Sequence, residues 1–291
     1  AMPMVDTDTN AIPVYAYAAD TAGGLYRVDF MSGRSALLSG AWTSRKVAET
    51  SGDGRKFLFA PAVLAARDIA NTPHEDYVYV AIGSGDREHP LASQYPFAQV
   101  TNRFYVYKDK LGNTADTDPV DLDALENYST NARNTCSNVP VLPSSALQGW
   151  FMDLNENGQG EQVVTSALIA GGMVTFSTNR PIPPLRATCP TPLGVPRGYS
   201  YTLLNGSGAI GVNGTCGGQR SSPFVGGGLP PSPVLANGVP IDGKATTVVI
   251  GAVQKGSDGA VGASVPISPQ RIRPAISSKR KRSYSYTSGA D

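Results

Sequence analysis

The sequence predicts an all-β fold made of repeated antiparallel hairpins. Its 291 residues include 32 glycines and 23 prolines, which favour tight turns and interrupt long helices. Tyrosine is more frequent than phenylalanine or tryptophan, with 13, 8 and 2 residues, and aromatic side chains suit half-buried strands. Segments with a two-residue side-chain period recur along the chain. We therefore expect a modified β-propeller, a partial set of about four blades with long insertions, because each blade buries its faces against its neighbours.

The hairpins follow one another along the chain. Residues 14–20 and 25–30 form the first, with Tyr26, Val28 and Phe30 on one face of its second strand. The same unit recurs twice and begins a fourth time, with predicted strands at 77–82 and 103–109, at 172–177 and 197–204, and at 246–250. Short helices are predicted only at 121–128 and 144–148. Because the spacing of the hairpins is irregular, a β-sandwich is the alternative arrangement.

Composition limits the classes of partner and compartment. The formal net charge of +1 gives no reason to expect a nucleic-acid partner. No run of about 18 apolar residues is present, so no transmembrane helix is predicted. We expect one domain over 1–291, cut from a longer protein, with a tail at 270–291. The basic run in that tail, Lys279 to Arg282, is either a solvated end or a strip for an anionic surface.

The three cysteines point to a disulfide more than to a metal. Without a CxxC pair, a zinc site is not expected. Cys189 and Cys216 flank one region rich in glycine and proline, and we pair them as a disulfide, which implies an oxidising compartment. Cys136 is then free or paired outside this chain. Three reduced, buried thiols are the alternative.

Five sequence blocks follow one another along the chain. The first block joins Tyr17–Asp20 to Gly24–Asp29. The others are 52–61, 83–109, 149–164 and 226–233, and they begin with Gly-Asp-Gly-Arg-Lys, Gly-Ser-Gly-Asp, Gly-Trp-Phe-Met-Asp and Gly-Gly-Gly-Leu-Pro-Pro. In this order the blocks resemble the C-terminal region of the PilY family of type IV pilus-associated proteins. The resemblance implies a propeller module that binds and is not an enzyme. It would act in pilus biogenesis, twitching motility, surface adhesion and virulence, with pilins, minor pilins and a surface or host-cell receptor as partners. It also implies export to the periplasm, outer membrane, cell surface or pilus tip.

The resemblance further implies a calcium loop before the first blade. Asp6, Asp8 and Asn10 match its first, third and fifth positions, and Ile12 would supply a backbone carbonyl. Ca²⁺ takes six to eight such oxygens. Val14 stands where the family has an acidic residue, so either calcium is bound weakly or the loop is a plain turn.

A second stretch has calcium-loop spacing by its own ligand chemistry. Asp153, Asn155, Asn157 and Glu161 place oxygens at the first, third, fifth and ninth positions, with Gly158 between them. A polar hairpin turn at Asn157-Gly158 is the alternative. A third acidic cluster, Asp116, Asp118, Asp121 and Asp123, lacks that spacing and is interpreted as a solvated loop.

Enzyme alternatives have less support. Repeats of this kind also occur in quinone-dependent oxidoreductases, but the adjacent cysteines of those enzymes are missing from this sequence. Ser84, Asp86 and His89 lie within six residues and would need an unusual fold-back to form a relay. We interpret that block as a turn in which Asp86 binds backbone amides. A calcium-independent propeller for protein docking is the nearest alternative function.

Overall fold

The structure is a computed structural model, and it describes most of the chain. The described residues are 2–5, 13–32, 35–36, 41–52, 54–68, 75–89, 100–111, 118–130, 148–182, 194–210, 217–224, 228–241, 243–251 and 269–271.

These residues form short and medium strands. In chain order they are β1 (Met2–Val5), β2 (Pro13–Ala19), β3 (Gly24–Asp29), β4 (Met31–Ser32), β5 (Ser35–Ala36), β6 (Thr43–Glu49), β7 (Ala62–Asp68), β8 (Glu75–Gly83), β9 (Arg103–Lys110), β10 (Val120–Asp121), β11 (Glu126–Asn127), β12 (Gly149–Asp153), β13 (Gln162–Val163), β14 (Leu168–Ala170), β15 (Met173–Arg180), β16 (Val195–Thr202), β17 (Ser221–Pro223), β18 (Val234–Ile241), β19 (Lys244–Ile250) and β20 (Pro269–Arg271).

The strands assemble into four main sheets. The first sheet has the order β1-β2-β3-β6-β10, and the second has the order β11-β12-β9-β8-β7. The third is β13-β15-β16-β17 with β14 beside β15, and the fourth is β18-β19-β20. Strands β4 and β5 pair separately. The all-β class predicted from composition and periodicity is confirmed.

All three complete hairpins predicted from the sequence are present. In each, the two predicted strands are antiparallel neighbours, as shown by the Cα pairs Tyr17 with Arg27, Ala81 with Val106, and Phe176 with Tyr199. The predicted strand at 246–250 lies within β19, which pairs with β18.

The predicted helix at 121–128 is wrong. One 3₁₀ turn, Leu122–Ala124, stands between the two-residue strands β10 and β11. Asp121 caps it by accepting a hydrogen bond from the Asp123 amide at 2.8 Å. Leu122 and Leu125 are buried on the first and second sheets, so packing overrides the helix propensity of this segment. Residues 144–147 of the second predicted helix lie outside the described residues.

The second sheet has an apolar core on each face. On β8, Tyr77, Tyr79 and Ala81 face the third sheet. The intervening Val78, Val80 and Ile82 face the first sheet. This alternation is the period of two expected of a strand, with both faces buried.

Aromatic contacts join the second sheet to the third. The rings of Phe104 and Phe176 stack with centroids 3.9 Å apart, and those of Trp150 and Tyr201 meet edge to face at 5.6 Å. Small residues allow this approach, since a Cβ on Gly83 would clash with Val163. The first three sheets therefore stack face to face. The propeller arrangement stays a prediction, because layered sheet folds share such stacking.

Candidate functional site

One edge of the stacked sheets collects charged residues. Strands β6, β8 and β12 end at this edge, and β3 and β9 begin there. We call it the charged rim and define it by Arg55, Lys56, Asp86, Arg87, Glu88, His89, Arg103, Asp123, Asp153 and Glu161. The described parts of the connections after β6 and β8 also lie at this edge.

The Asp123 carboxylate accepts four hydrogen bonds at the charged rim. Its Oδ2 accepts hydrogen bonds from the Ser51 amide at 3.0 Å and from Arg55 Nη1 at 2.9 Å. Its Oδ1 accepts from Arg103 Nη1 at 2.8 Å and from the Tyr105 hydroxyl at 2.7 Å. Burial raises the pKa of Tyr105, and the Asp123 carboxylate adds to that rise. The carboxylate thus ties the loop after β6 to the start of β9.

The solvated-loop interpretation is therefore wrong for Asp123. Its side chain is only 9% exposed, because Leu122 and Leu125 on either side anchor the segment in the core. The sequence pattern that could have indicated this burial is the pair of leucines on either side of Asp123. Asp121 caps the turn, and Asp116 lies outside the described residues.

A second acidic centre on the rim is Asp86. Its Oδ2 lies 2.6 Å from Lys56 Nζ and 2.9 Å from His89 Nδ1. Burial alone would raise the pKa of Asp86, but the hydrogen bonds from Lys56 and His89 hold it below its ordinary value. The predicted bonds to backbone amides are not what the carboxylate makes. Instead, the Asp86 amide donates to Gln162 Oε1 at 2.8 Å.

The serine of this block points elsewhere. Ser84 is fully buried, and its hydroxyl donates to Asn102 Oδ1 at 3.0 Å. His89 contacts Asp86, so two of the three residues come together without the third. This geometry has no relay from Ser84 to His89.

In the acidic loop 153–161, Asp153 and Glu161 bind different partners. Asp153 Oδ1 accepts from Arg103 Nε at 2.7 Å. Burial alone would lower the pKa of Arg103, but its hydrogen bonds to Asp153 and Asp123 raise it. Arg103 also lies over the Phe151 ring, 4.1 Å from its centroid. Asp153 is therefore bound to a cation of its own sheet.

Glu161 is fully buried and accepts from three donors. Thr178 Oγ1 lies 2.6 Å and the Tyr199 hydroxyl 2.8 Å from Oε1, and Asn157 Nδ2 lies 3.1 Å from Oε2. Burial raises the pKa of Tyr199, and Glu161 raises it further. A turn is present at this position, since the Gly158 amide donates to the Asn155 carbonyl at 3.0 Å, but it joins β12 of the second sheet to β13 of the third and is not the hairpin turn predicted as the alternative.

These contacts do not fit a calcium ion between Asp153 and Glu161. Both carboxylates face N–H and O–H donors, whereas calcium needs several oxygens directed at one point. Within the described ranges, no group of three or more His, Cys, Asp and Glu side chains is placed to hold a metal. The first candidate loop, Asp6, Asp8, Asn10 and Ile12, lies outside the described residues, so calcium there stays a prediction.

Several other predicted features fall outside the described part of the chain. They are Cys136, Cys189 and Cys216, the basic run Lys279 to Arg282, and residues 226 and 227 of the glycine-rich block. The pairing of Cys189 with Cys216 stays a prediction. No helix in the described part is long and apolar enough to cross a membrane.

The fold defines an all-β protein of stacked, mainly antiparallel sheets with a charged rim. It is similar to the crystal structure of the Pseudomonas aeruginosa PilY1 C-terminal domain, with a TM-score of 0.60 and 13% sequence identity. The match covers 93% of this chain and spans 60% of that domain. No protein-family model matches the chain, and no curated protein matches it. The structural match therefore supports the fold alone.

Proposed function

We propose that this chain is a propeller-type module of a type IV pilus-associated protein that acts in pilus biogenesis and surface adhesion. The observation that carries the proposal is the fold similarity to the PilY1 C-terminal domain over 93% of the chain. The five family-like blocks point the same way from the sequence. In this proposal the protein is exported and reaches the cell surface or the pilus tip, and its partners are pilins, minor pilins and a surface or host-cell receptor.

The stacked sheets support a binding role. Three sheets share two continuous cores, which makes a rigid platform. The charged rim presents Lys56, Arg87, Glu88 and His89 at one edge of that platform, where the long connections also begin. Loops on a rigid scaffold are the usual place for recognition. We assign partner binding to this edge.

Calcium belongs to the proposal at the first loop. Asp6, Asp8 and Asn10 would supply side-chain oxygens and Ile12 a carbonyl, and the ion would add rigidity to the entry of the first hairpin. A calcium-independent docking module is the second candidate. One observation favours it, namely that protein donors already satisfy Asp153 and Glu161.

A direct binding experiment tests the proposed function. The purified chain is immobilised and exposed to purified major and minor pilins, once with calcium and once with chelator. Saturable binding of at least one pilin supports the proposal, and dependence on calcium separates the first candidate from the second. Absence of binding to every pilin under both conditions overturns it. The double variant Arg87→Ala/Glu88→Ala tests whether the charged rim binds the pilin. Lys244→Ala, on the exposed β18–β19 turn, is the matched control.

A further inference from the structure

The described residues contain three Asn-Gly pairs, and this dipeptide is chemically labile. They are Asn157-Gly158, Asn205-Gly206 and Asn237-Gly238. In such a pair the glycine amide nitrogen attacks the Cγ of the asparagine side chain. The reaction needs a backbone that can rotate, an accessible carboxamide and solvent water. The three pairs differ in all of these respects.

In the first pair, hydrogen bonds hold both the leaving group and the attacking nitrogen. Asn157 Nδ2, the leaving group, donates to Glu161 Oε2 at 3.1 Å and to the Tyr199 hydroxyl at 3.0 Å. The attacking nitrogen of Gly158 donates to the Asn155 carbonyl at 3.0 Å. Neither group can turn toward the other without breaking these bonds.

The second pair is held by its own turn. The Gly206 amide donates to the Thr202 carbonyl at 2.9 Å, and Gly206 is buried. Asn205 Oδ1 accepts from the Ser207 amide at 3.0 Å. A donor therefore sits on Oδ1 here as well, but the attacking Gly206 nitrogen is buried and already hydrogen-bonded, so it is not free to reach Cγ.

The third pair lies in an exposed bulge. On β18 the register shifts between Ala236 and Val239, so Asn237 and Gly238 have no Cα partners on β19. Both residues are exposed, and apart from Gly238 and its two chain neighbours no heavy atom of the described residues lies within 4 Å of a Cβ built on Gly238. The Thr247 hydroxyl donates to Asn237 Oδ1 at 2.9 Å. A donor on that oxygen withdraws electrons from Cγ and stabilises the oxyanion formed on attack.

We propose that Asn237-Gly238 is a site of spontaneous deamidation, with Thr247 as the residue that activates it. The Gly238 nitrogen loses its proton and forms a bond to Asn237 Cγ. The Cγ–Nδ2 bond then breaks, and ammonia leaves with that proton. Water adds to one of the two carbonyls of the cyclic imide, which opens to aspartate or to isoaspartate. No oxidant, metal or cofactor takes part.

The product changes an edge strand. Among the described residues β18 pairs with β19 alone, and its side chains Val234 and Leu235 are exposed at 61% and 40%. A carboxylate at 237 places a negative charge on that edge, and like charge opposes pairing with another chain. Deamidation therefore makes this edge less prone to pair with another chain.

Peptide mapping by mass spectrometry tests the proposal on the full chain. The native protein is incubated at mildly alkaline pH, and conversion at 237, 157 and 205 is followed in the same samples. Conversion several-fold faster at Asn237 than at either other site is expected, and the three rates should converge in urea. Equal rates in the native protein would overturn the proposal.

Three variants test the role of Thr247 and of Asn237 itself. Thr247→Val removes the donor and should slow conversion at Asn237, while Thr247→Ser keeps the hydroxyl and the rate. An unchanged rate in Thr247→Val would overturn the activating role of this residue. Asn237→Gln should block conversion at this position, and the native fold of each variant is checked by circular dichroism.

Discussion

Arg27 on β3 and Asp109 on β9 form a buried ion pair between the first and second sheets, with Arg27 Nη1 2.8 Å from Asp109 Oδ2. The Tyr17 hydroxyl donates to the same oxygen at 2.6 Å, and Arg27 Nε donates to Asp29 Oδ1 at 2.7 Å. The two side chains are 4% and 2% exposed. Burial alone would lower the pKa of Arg27, but Asp109 and Asp29 raise it.

Removing the cation from this pair should destabilise the fold strongly. In Arg27→Met, Asp109 keeps its charge without its main partner, and we expect a loss of about 3–5 kcal/mol in the free energy of unfolding. Urea unfolding measures it. Lys46→Met is the matched control, because its ion pair with Glu49 is exposed and should contribute little. Equal losses in the two variants would contradict the prediction.

Gly83, which ends β8, and Gly85, two residues later, should not tolerate a methyl group. A Cβ on Gly83 would meet the Val163 side chain, and a Cβ on Gly85 would meet the Val163 backbone. We expect each alanine variant to lose roughly 1–3 kcal/mol in unfolding free energy. Val163→Ala should partly rescue Gly83→Ala, because it removes the clashing methyl, and should not rescue Gly85→Ala. Rescue of both, or of neither, would argue against this packing.

Stability at acid pH should depend on Asp86. Its folded pKa lies below its unfolded value, so its contribution is present at neutral pH and is lost as pH falls from about 4 through the folded pKa. Asp86→Asn should therefore be less stable than wild type at neutral pH, and the gap should narrow as the medium is acidified. Urea midpoints across that range measure the gap. A gap independent of pH would show that the carboxylate charge is not what stabilises the turn.

Calcium binding should map to the first loop. Isothermal titration of the chelator-treated chain with CaCl₂ is expected to give a saturable heat that Asp8→Ala abolishes. Asp153→Asn should leave the heat unchanged, because Asp153 is bound to Arg103. Loss of the heat in Asp153→Asn alone would place the ion in the second loop, and no heat in wild type would leave the calcium-independent module.

Local pattern was enough to predict the hairpins. Alternation along 25–30, the apolar run at 77–82 and the glycine turns predict antiparallel neighbours, and these neighbours are observed. Strands such as β6 and β7 were not predicted from the sequence. β6 is largely polar, with Thr43, Ser44, Arg45 and Lys46 in succession, so its pairing with β3 carries no clear apolar period.

The charged rim could not be predicted, for a different reason. Asp123 binds Arg55 and Arg103, which lie 68 and 20 residues away along the chain. The residue spacing that suggested a calcium loop at 153–161 says nothing about such distant donors. Arg103 and Tyr199, on other strands, donate hydrogen bonds to Asp153 and Glu161, and these bonds determine the role of the two carboxylates. Ligand-like spacing therefore predicts a metal site only where no distant side chain binds the same oxygens.

Because the second sheet contributes to a core on each of its faces, the first three sheets should exchange their amide hydrogens as one cooperative unit. Opening either core exposes half of β8, so neither half retains its protection alone. Val248 and Val249, which are buried in the fourth sheet, belong to neither core. The β18–β20 sheet is then free to open and close while the rest of the protein stays folded, and its amides should be the first of the four sheets to acquire deuterium.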